Sequence, residues 1–179
     1  VMLSAETAVG KHPRRVIEAM HRVCVGAERH CDTLDDVHQL DGHPLRIDHA
    51  IAMAAMFLAT RMPVRAIIAL TESGSTARWL SRVRTSVPIF ALSPLAISRR
   101  RMALYRDVFP IAHVQKWDAI NEAVAEAISN LVEKGYLGAG DRVIVTMGDA
   151  QGKEGGTDTL RLVQVGASGA AEHQAELAL

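Results

Sequence analysis

Apolar runs and amphipathic stretches alternate along most of the chain. Short β-branched runs with almost no charge predict strands buried on both faces, and apolar residues at helical spacing predict helices. In chain order the predicted elements are helix Leu45–Met62, strand Val64–Leu70, helix Ser75–Arg84, strand Pro88–Leu92, helix Leu95–Arg106, strand Phe109–Val114, helix Asp118–Lys134, strand Arg142–Met147 and strand Leu160–Val165.

This order predicts an α/β fold. Repeated strand-to-helix alternation implies right-handed crossovers, and therefore a doubly wound, mostly parallel five-stranded sheet with helices on both faces. The glycine-rich segment after Met147 is too short for a crossover helix. We therefore expect Leu160–Val165 to return as an antiparallel last strand.

The hydrophobic pattern before residue 45 differs from the strand–helix alternation that follows it. Val1 to Leu3 resemble the end of a strand whose beginning is absent, a polar loop follows, and a helix with an apolar stripe begins at Pro13. Residues 32–44 are acidic and contain Gly and Pro, which indicates a linker. The predicted divisions are residues 1–31, linker 32–44, an α/β domain over 45–166, and a flexible tail over 167–179.

The turn after Val64–Leu70 carries the clearest candidate chemistry. It reads TESGST and places hydroxyls around a helix start, where free N–H groups favour an anion such as phosphate. Glu72 counts against an anion, and a hydroxyl at a helix start is most often only a cap, worth about 1 kcal/mol. The candidate phosphate ligands are Thr71, Glu72, Ser73, Gly74, Ser75 and Thr76.

Composition limits the possible partners. The chain has 179 residues, with 20 Lys plus Arg against 20 Asp plus Glu, so no overall field attracts nucleic acid or an anionic membrane. The most apolar helix carries Asp48 and Arg61, so we expect a buried helix rather than a membrane span. Its Ala- and Met-rich part, residues 51–56, suits the core or a subunit interface. Two cysteines, Cys24 and Cys31, suit a reducing, cytoplasmic compartment.

Other clusters predict no site. His21, Cys24, His30 and Cys31 match no zinc spacing, so we expect no metal. The arginines at 99–101 and 106 are typical of a solvated helix face, and aromatic residues for base stacking are nearly absent, so we expect no nucleic-acid binding.

Four collinear motifs resemble the C-terminal part of pyruvate kinase. MLSAETAVGKHP at residues 2–13 is similar to the segment that closes the family's (β/α)8 barrel, with Ala5 in place of a usual glycine. AIIALTESGSTA at 66–77 is similar to its effector phosphate loop, and RMALYRDVFPI at 101–111 to a further segment, with Asp107 in place of glycine. GDRVIVTMGD with GGTDTLRLVQV, at 140–149 and 155–165, resembles the domain's ending.

The resemblance implies part of a glycolytic enzyme. Pyruvate kinase transfers a phosphoryl group from phosphoenolpyruvate to ADP, using Mg²⁺ and K⁺ with residues on barrel loops that have no counterpart here. We therefore expect no catalytic residues and no cofactor in this chain, and an inactive chain by itself. It implies a homo-oligomer, tetrameric in the parent enzyme, and a parent chain that is the complete enzyme.

The resemblance also implies a regulatory site. Residues 71–76 would hold the effector's phosphate, and the loop over residues 148–156 would close over it. Ser75 stands where relatives that respond to fructose 1,6-bisphosphate place Lys or Arg, which favours AMP or a sugar monophosphate. We expect Thr76→Glu to abolish binding without harming the fold. Weaker effector candidates are Arg78, Arg82, Trp117, Lys153, Gly155 and Gly156. The alternative is a ligand-free structural oligomerisation domain whose TESGST turn is only a cap.

Overall fold

The chain forms two compact units, Val1–Asp35 and Asp36–Leu179. A computed structural model describes residues 1–29, 46–113, 120–148, 155–167 and 171–172. The predicted linker over 32–44 lies outside these ranges, so the proposed domain division stays a prediction.

The described part of the first unit, residues 1–29, contains two helices, α1 (Ala5–Ala8) and α2 (Pro13–Arg29). The prediction of a strand at residues 1–3 is wrong for this structure, because no described segment of the unit pairs with that backbone. The prediction of an irregular loop before Pro13 missed α1, whose start is closed by two hydrogen bonds from Ser4 to the Glu6 carboxylate, both 2.9 Å. No residue of α2 is buried among the described residues.

The second unit contains four helices and six strands in its described part. The helices are α3 (Ile47–Arg61), α4 (Ser75–Leu80), α5 (Ala96–Met102) and α6 (Ile120–Glu133). The strands are β1 (Ala66–Leu70), β2 (Ile89–Ser93), β3 (Val108–Ala112), β4 (Arg142–Met147), β5 (Thr159–Val165) and β6 (Ala171–Glu172).

The strands form one sheet in the order β3-β2-β1-β4-β5-β6. Strands β1 to β4 are parallel and β5 is antiparallel to β4, so the predicted fold class is confirmed. The sixth strand was not predicted. Two residues of the expected flexible tail, Ala171 and Glu172, pair with Val165 and Gln164, because the outer edge of β5 offers unpaired backbone groups.

Helices cover both faces of the sheet. Ile67 and Ala69 of β1 point to one face, where they form a core with α3, α4 and Met102 of α5. Ile68 and Leu70 point to the other face and pack against α6. Since strand side chains alternate between faces, the continuous apolar run of β1 is buried on both sides.

The strand order reverses next to β1. From β1 the chain adds β2 and then β3 on one side, and β4 is inserted on the other side of β1. In open α/β sheets, ligands bind in the crevice beyond the carboxyl ends of the strands at such a reversal. The fold therefore indicates that a ligand site would lie between the segments that follow β1 and β4.

Candidate functional site

We define the β1 turn as residues 71–76, so that it includes the first two residues of α4. Its own hydroxyl groups hold it in place. The Gly74 N–H donates to Thr71 Oγ1 at 3.0 Å, and the Ser75 N–H donates to Ser73 Oγ at 3.3 Å. Two hydroxyls that the sequence offered as phosphate donors therefore accept backbone N–H groups. Each hydroxyl retains its own proton for donation. In the part of the chain that the structure describes, the N–H groups of Thr76 and Ala77 have no acceptor.

Gly74 determines the shape of the β1 turn. It lies immediately before α4 with φ of 86°, a conformation that side chains with a Cβ rarely adopt. A Cβ at this position would lie 2.8 Å from Cγ of Met102. The glycine is therefore required both for the backbone angle and for close packing against α5.

The segment before β5 joins the β1 turn. We call residues 155–158 the loop end. Thr157 and Thr76 are both buried, and their hydroxyl oxygens lie 2.5 Å apart in a hydrogen bond. A Cβ on Gly148, just after β4, would lie 2.0 Å from the carbonyl oxygen of Gly156. The segments following β1 and β4 thus meet at the reversal of strand order.

An ion pair before α3 lies against the loop end. Arg46 donates from Nε to Oδ1 of Asp48 at 3.0 Å and from Nη2 to Oδ2 at 3.3 Å. Asp48 is 1% exposed, whereas the Arg46 side chain is 57% exposed. A Cβ on Gly155 would lie 1.9 Å from Arg46 Nη2, so the guanidinium packs directly on this glycine.

The β2 turn, residues 93–95, has the same strand-to-helix setting and begins with the last residue of β2. Ser93 Oγ donates to the Glu72 carbonyl at 3.0 Å and accepts the Leu95 N–H at 3.2 Å. Arg99 Nη1 donates to the carbonyls of Ser93 and Pro94 at 2.7 and 2.8 Å. The polar groups of this turn are therefore used on its own backbone and on the backbone of the β1 turn.

Known proteins resemble this chain in both sequence and fold. The family described as "Pyruvate kinase, alpha/beta domain" matches residues 49–163. Pyruvate kinase II of Salmonella typhimurium is 44% identical over 166 residues, which cover 92% of this chain and 34% of that protein. A pyruvate kinase structure from Cryptosporidium parvum superposes with a TM-score of 0.71 at 28% identity, over 92% of this chain and 32% of that one.

The chain belongs to the pyruvate kinase family. The resemblance seen in its motifs is confirmed. Pyruvate kinase of Haemophilus influenzae, 42% identical over 161 residues, agrees, and this chain covers 32% of its length. The chain spans about a third of the curated pyruvate kinases it matches.

Within this pyruvate kinase domain, Arg78 of α4 and Arg82, which follows that helix, are both exposed. Arg82 lies over the Trp79 ring, 4.2 Å from its centroid, and the His49 ring centroid lies 3.5 Å from that of Trp79. Arg82 is thus engaged with an aromatic side chain. Two further candidates, Trp117 and Lys153, lie outside the described residues.

The expectation that Thr76→Glu leaves the fold intact does not hold. Thr76 is 2% exposed and bonded to Thr157, so a glutamate there would bury a carboxylate beside a threonine. An unpaired buried charge is strongly destabilising. Ser75, which is half-buried and has no such link among the described residues, is the better position for a charge.

Sequence reasoning missed Arg46 and Thr157. Arg46 lies in none of the quoted motifs, and the motif that contains Thr157 did not assign it a role, because each residue reaches the site from a distant segment: Thr157 meets Thr76 from 81 positions away. The only available signal was Asp48, a charged residue within the most apolar helix. Such a residue, once buried, requires a partner.

The third parallel strand ends at a buried histidine. His113 follows β3, is 9% exposed, and its Nε2 atom has no hydrogen-bond partner among the described residues. Burial lowers the pKa of His113, and the Glu126 carboxylate opposes this in part. The side chain is therefore neutral at pH 7 and lies two strands away from β1.

The described ranges contain neither a cluster of metal ligands nor a helix suited to a membrane. No group of three or more His, Cys, Asp or Glu side chains in them could hold a metal ion. No helix found there has both the length and the apolar character needed to cross a bilayer.

Proposed function

We propose that this chain is the effector-binding and subunit-contact part of a pyruvate kinase. The observation that carries the proposal is the meeting of the β1 turn and the loop end at the reversal of strand order. The β1 turn has the sequence that resembles the family's phosphate loop. Fold position and motif thus indicate the same crevice.

The effector is an anion with one phosphate, either AMP or a sugar monophosphate. The free N–H groups at the start of α4, the protons of Thr71 and Ser73, and the Ser75 hydroxyl supply donors for one phosphate. α4 has six residues, so these directional donors count for more than its dipole. Glu72 adds a negative charge to the turn and disfavours a second phosphate.

Catalysis belongs to the rest of the parent enzyme. There, phosphoryl transfer from phosphoenolpyruvate to ADP needs Mg²⁺, K⁺ and residues of the barrel. This chain alone is inactive. The parent is a cytoplasmic homo-oligomer, and the effector acts by binding one arrangement of subunits more tightly than another, since a ligand shifts an equilibrium only through differential affinity.

Calorimetric titration of the chain tests the binding site. Three proteins are titrated: the unsubstituted chain, Ser75→Glu and Ser86→Glu. The ligands are AMP, ribose 5-phosphate, glucose 6-phosphate and fructose 1,6-bisphosphate. Ser86 is exposed and precedes β2, so this control adds the same charge at the opposite edge of the sheet. We expect saturable binding to a monophosphate that only Ser75→Glu abolishes. Absence of binding, or equal binding by Ser75→Glu, would contradict the site.

A ligand-free oligomerisation domain is the second candidate. It is favoured by the use of the Thr71 and Ser73 hydroxyls as acceptors for N–H groups of the turn itself, and by exposed Ile47 and Phe57 on α3. This alternative predicts self-association in sedimentation experiments that is independent of any phosphorylated metabolite. A shift of the association constant on adding the monophosphate would exclude it.

A further inference from the structure

We propose that Arg46 is the cation of this effector crevice and that Asp48 positions it. The inference rests on the proposed effector site and assigns to that site a residue that its sequence motif does not contain. The ligand group is a phosphate monoester, which guanidinium recognises through paired N–H donors.

Chain topology places Arg46 at the correct edge of the sheet. α3 runs from Ile47 to Arg61 and leads directly into β1. A helix that packs on a sheet and feeds the next parallel strand runs antiparallel to it. The start of α3 therefore lies beyond the carboxyl ends of the strands, where the β1 turn also lies.

Contact with the loop end places Arg46 beside the crevice. Its guanidinium packs on Gly155, and Thr157, two residues later, is bonded to Thr76 of α4. Two residues span at most about 7 Å of extended chain. Arg46, the loop end and the start of α4 thus lie close together.

Asp48 fixes the direction of the guanidinium. The carboxylate accepts from Nε and Nη2 at 3.0 and 3.3 Å and is almost fully buried, so it cannot follow a moving arginine. Two of the five guanidinium N–H groups are used in this pair, and three are left for a ligand. The pair has no net charge, so Arg46 would act through directed hydrogen bonds rather than a long-range field.

Gly155 keeps the guanidinium accessible. Its φ of 78° and the 1.9 Å that would separate a Cβ from Arg46 Nη2 both exclude a side chain. More than half of the Arg46 side chain stays exposed. An ion pair with only a structural role would not require a glycine at position 155 or an exposed Arg46 side chain.

Binding by charge-neutral variants tests the proposal. Because Arg46→Gln alone would leave Asp48 buried and unpaired, the test variant is Arg46→Gln with Asp48→Asn, and Arg46→Lys is a second variant that keeps the charge. Arg61→Gln is the control, since it removes one positive charge from the other end of α3. Each is titrated with AMP, ribose 5-phosphate and glucose 6-phosphate, and its Tm is measured.

We expect the double variant to bind about 10- to 100-fold more weakly than the unsubstituted chain, and Arg61→Gln to bind with unchanged affinity. Arg46→Lys should fall between them, because an ammonium cannot hold the same bidentate geometry. The role of Arg46 would be overturned if the unsubstituted chain binds and either Arg46 variant binds within twofold of it. The effector site would then still stand. If the unsubstituted chain binds none of the three probes, both proposals fail. If the double variant does not fold, Arg46→Lys decides.

Discussion

The β1 turn and the β2 turn occupy equivalent places in the sheet and end in different states. Both lie at the end of a fully buried parallel strand, contain serine, and lead into a short helix. In the β2 turn, Ser93 donates to the Glu72 carbonyl of the β1 turn, and Arg99 donates to the carbonyls of Ser93 and Pro94. The β1 turn faces the loop end, with Arg46 beside it. The same strand-to-helix setting therefore uses its donors within the protein in one turn, and in the other leaves N–H groups that have no acceptor among the described residues.

The largest expected effect is at Gly74. Gly74→Ala forces a Cβ into a left-handed conformation and against Met102, so we expect a loss of about 2 kcal/mol in the free energy of unfolding and loss of effector binding. Urea denaturation and calorimetry measure the two effects. Gly138→Ala is the control, because the nearest atom to its Cβ is 3.9 Å away. Equal stability of the two variants would contradict the strain at Gly74.

Ser93→Ala tests the β2 turn. The substitution removes two hydrogen bonds of a fully buried hydroxyl, including the donor to the Glu72 carbonyl, and should cost about 1–2 kcal/mol of stability. Effector affinity should stay within twofold, because both hydrogen bonds of the Ser93 hydroxyl are made within the protein and the proposed phosphate donors lie on the β1 turn. A large loss of affinity with unchanged stability would make the two turns parts of one site.

The loss of fold stability in acid should come from His113, at the end of the edge strand β3, rather than from the crevice. Because burial lowers the pKa of His113, the unfolded chain binds a proton more readily than the folded chain. The contribution of neutral His113 to the free energy of unfolding is therefore complete above the ordinary histidine pKa. It is lost as the pH falls through the lowered pKa of the folded chain. His113→Gln should flatten the fall in Tm between pH 7.5 and 5.5 without changing effector affinity at pH 7.5. An unchanged acid slope would contradict this assignment.

The smallest expected effect is at Asp107, which precedes β3 at the opposite edge of the sheet. Its φ of 58° is unfavourable for a residue with a Cβ, and the resemblance places glycine here. Asp107→Gly should raise the free energy of unfolding by about 0.5 kcal/mol, with no effect on binding. Denaturant titration measures the gain, and a loss of stability would show that the Asp107 side chain outweighs the strain.

The sequence predicted the sheet better than the ends of its helices. Buried runs such as Ala66–Leu70 identify strands whichever neighbour they pair with. The helix predicted to reach Arg84 ends at Leu80, because the next N–H groups, of Arg82 and Val83, bond to carbonyls three residues back. Apolar spacing does not distinguish such tighter turns from an α-helix.

The candidate site was predictable where a motif marks it. The hydroxyls and glycine of the β1 turn lie within one motif, and their arrangement around a helix start follows from it. The resemblance likewise implied that the late loop, with Gly155 and Gly156, closes over the effector. Arg46 reaches the loop end through the direction of α3, which the spacing of nearby residues does not predict.

Amide chemical-shift mapping tests the central claim most directly. The chain is labelled with ¹⁵N and titrated with ribose 5-phosphate, with ribose as the control for the phosphate. We predict saturable shifts for the amides of Ser73, Thr76 and Ala77 together with Gly155 and Thr157, and none in the β2 turn. Shifts confined to the β2 turn, or no shifts at saturating ligand, would contradict an effector crevice between β1 and β4.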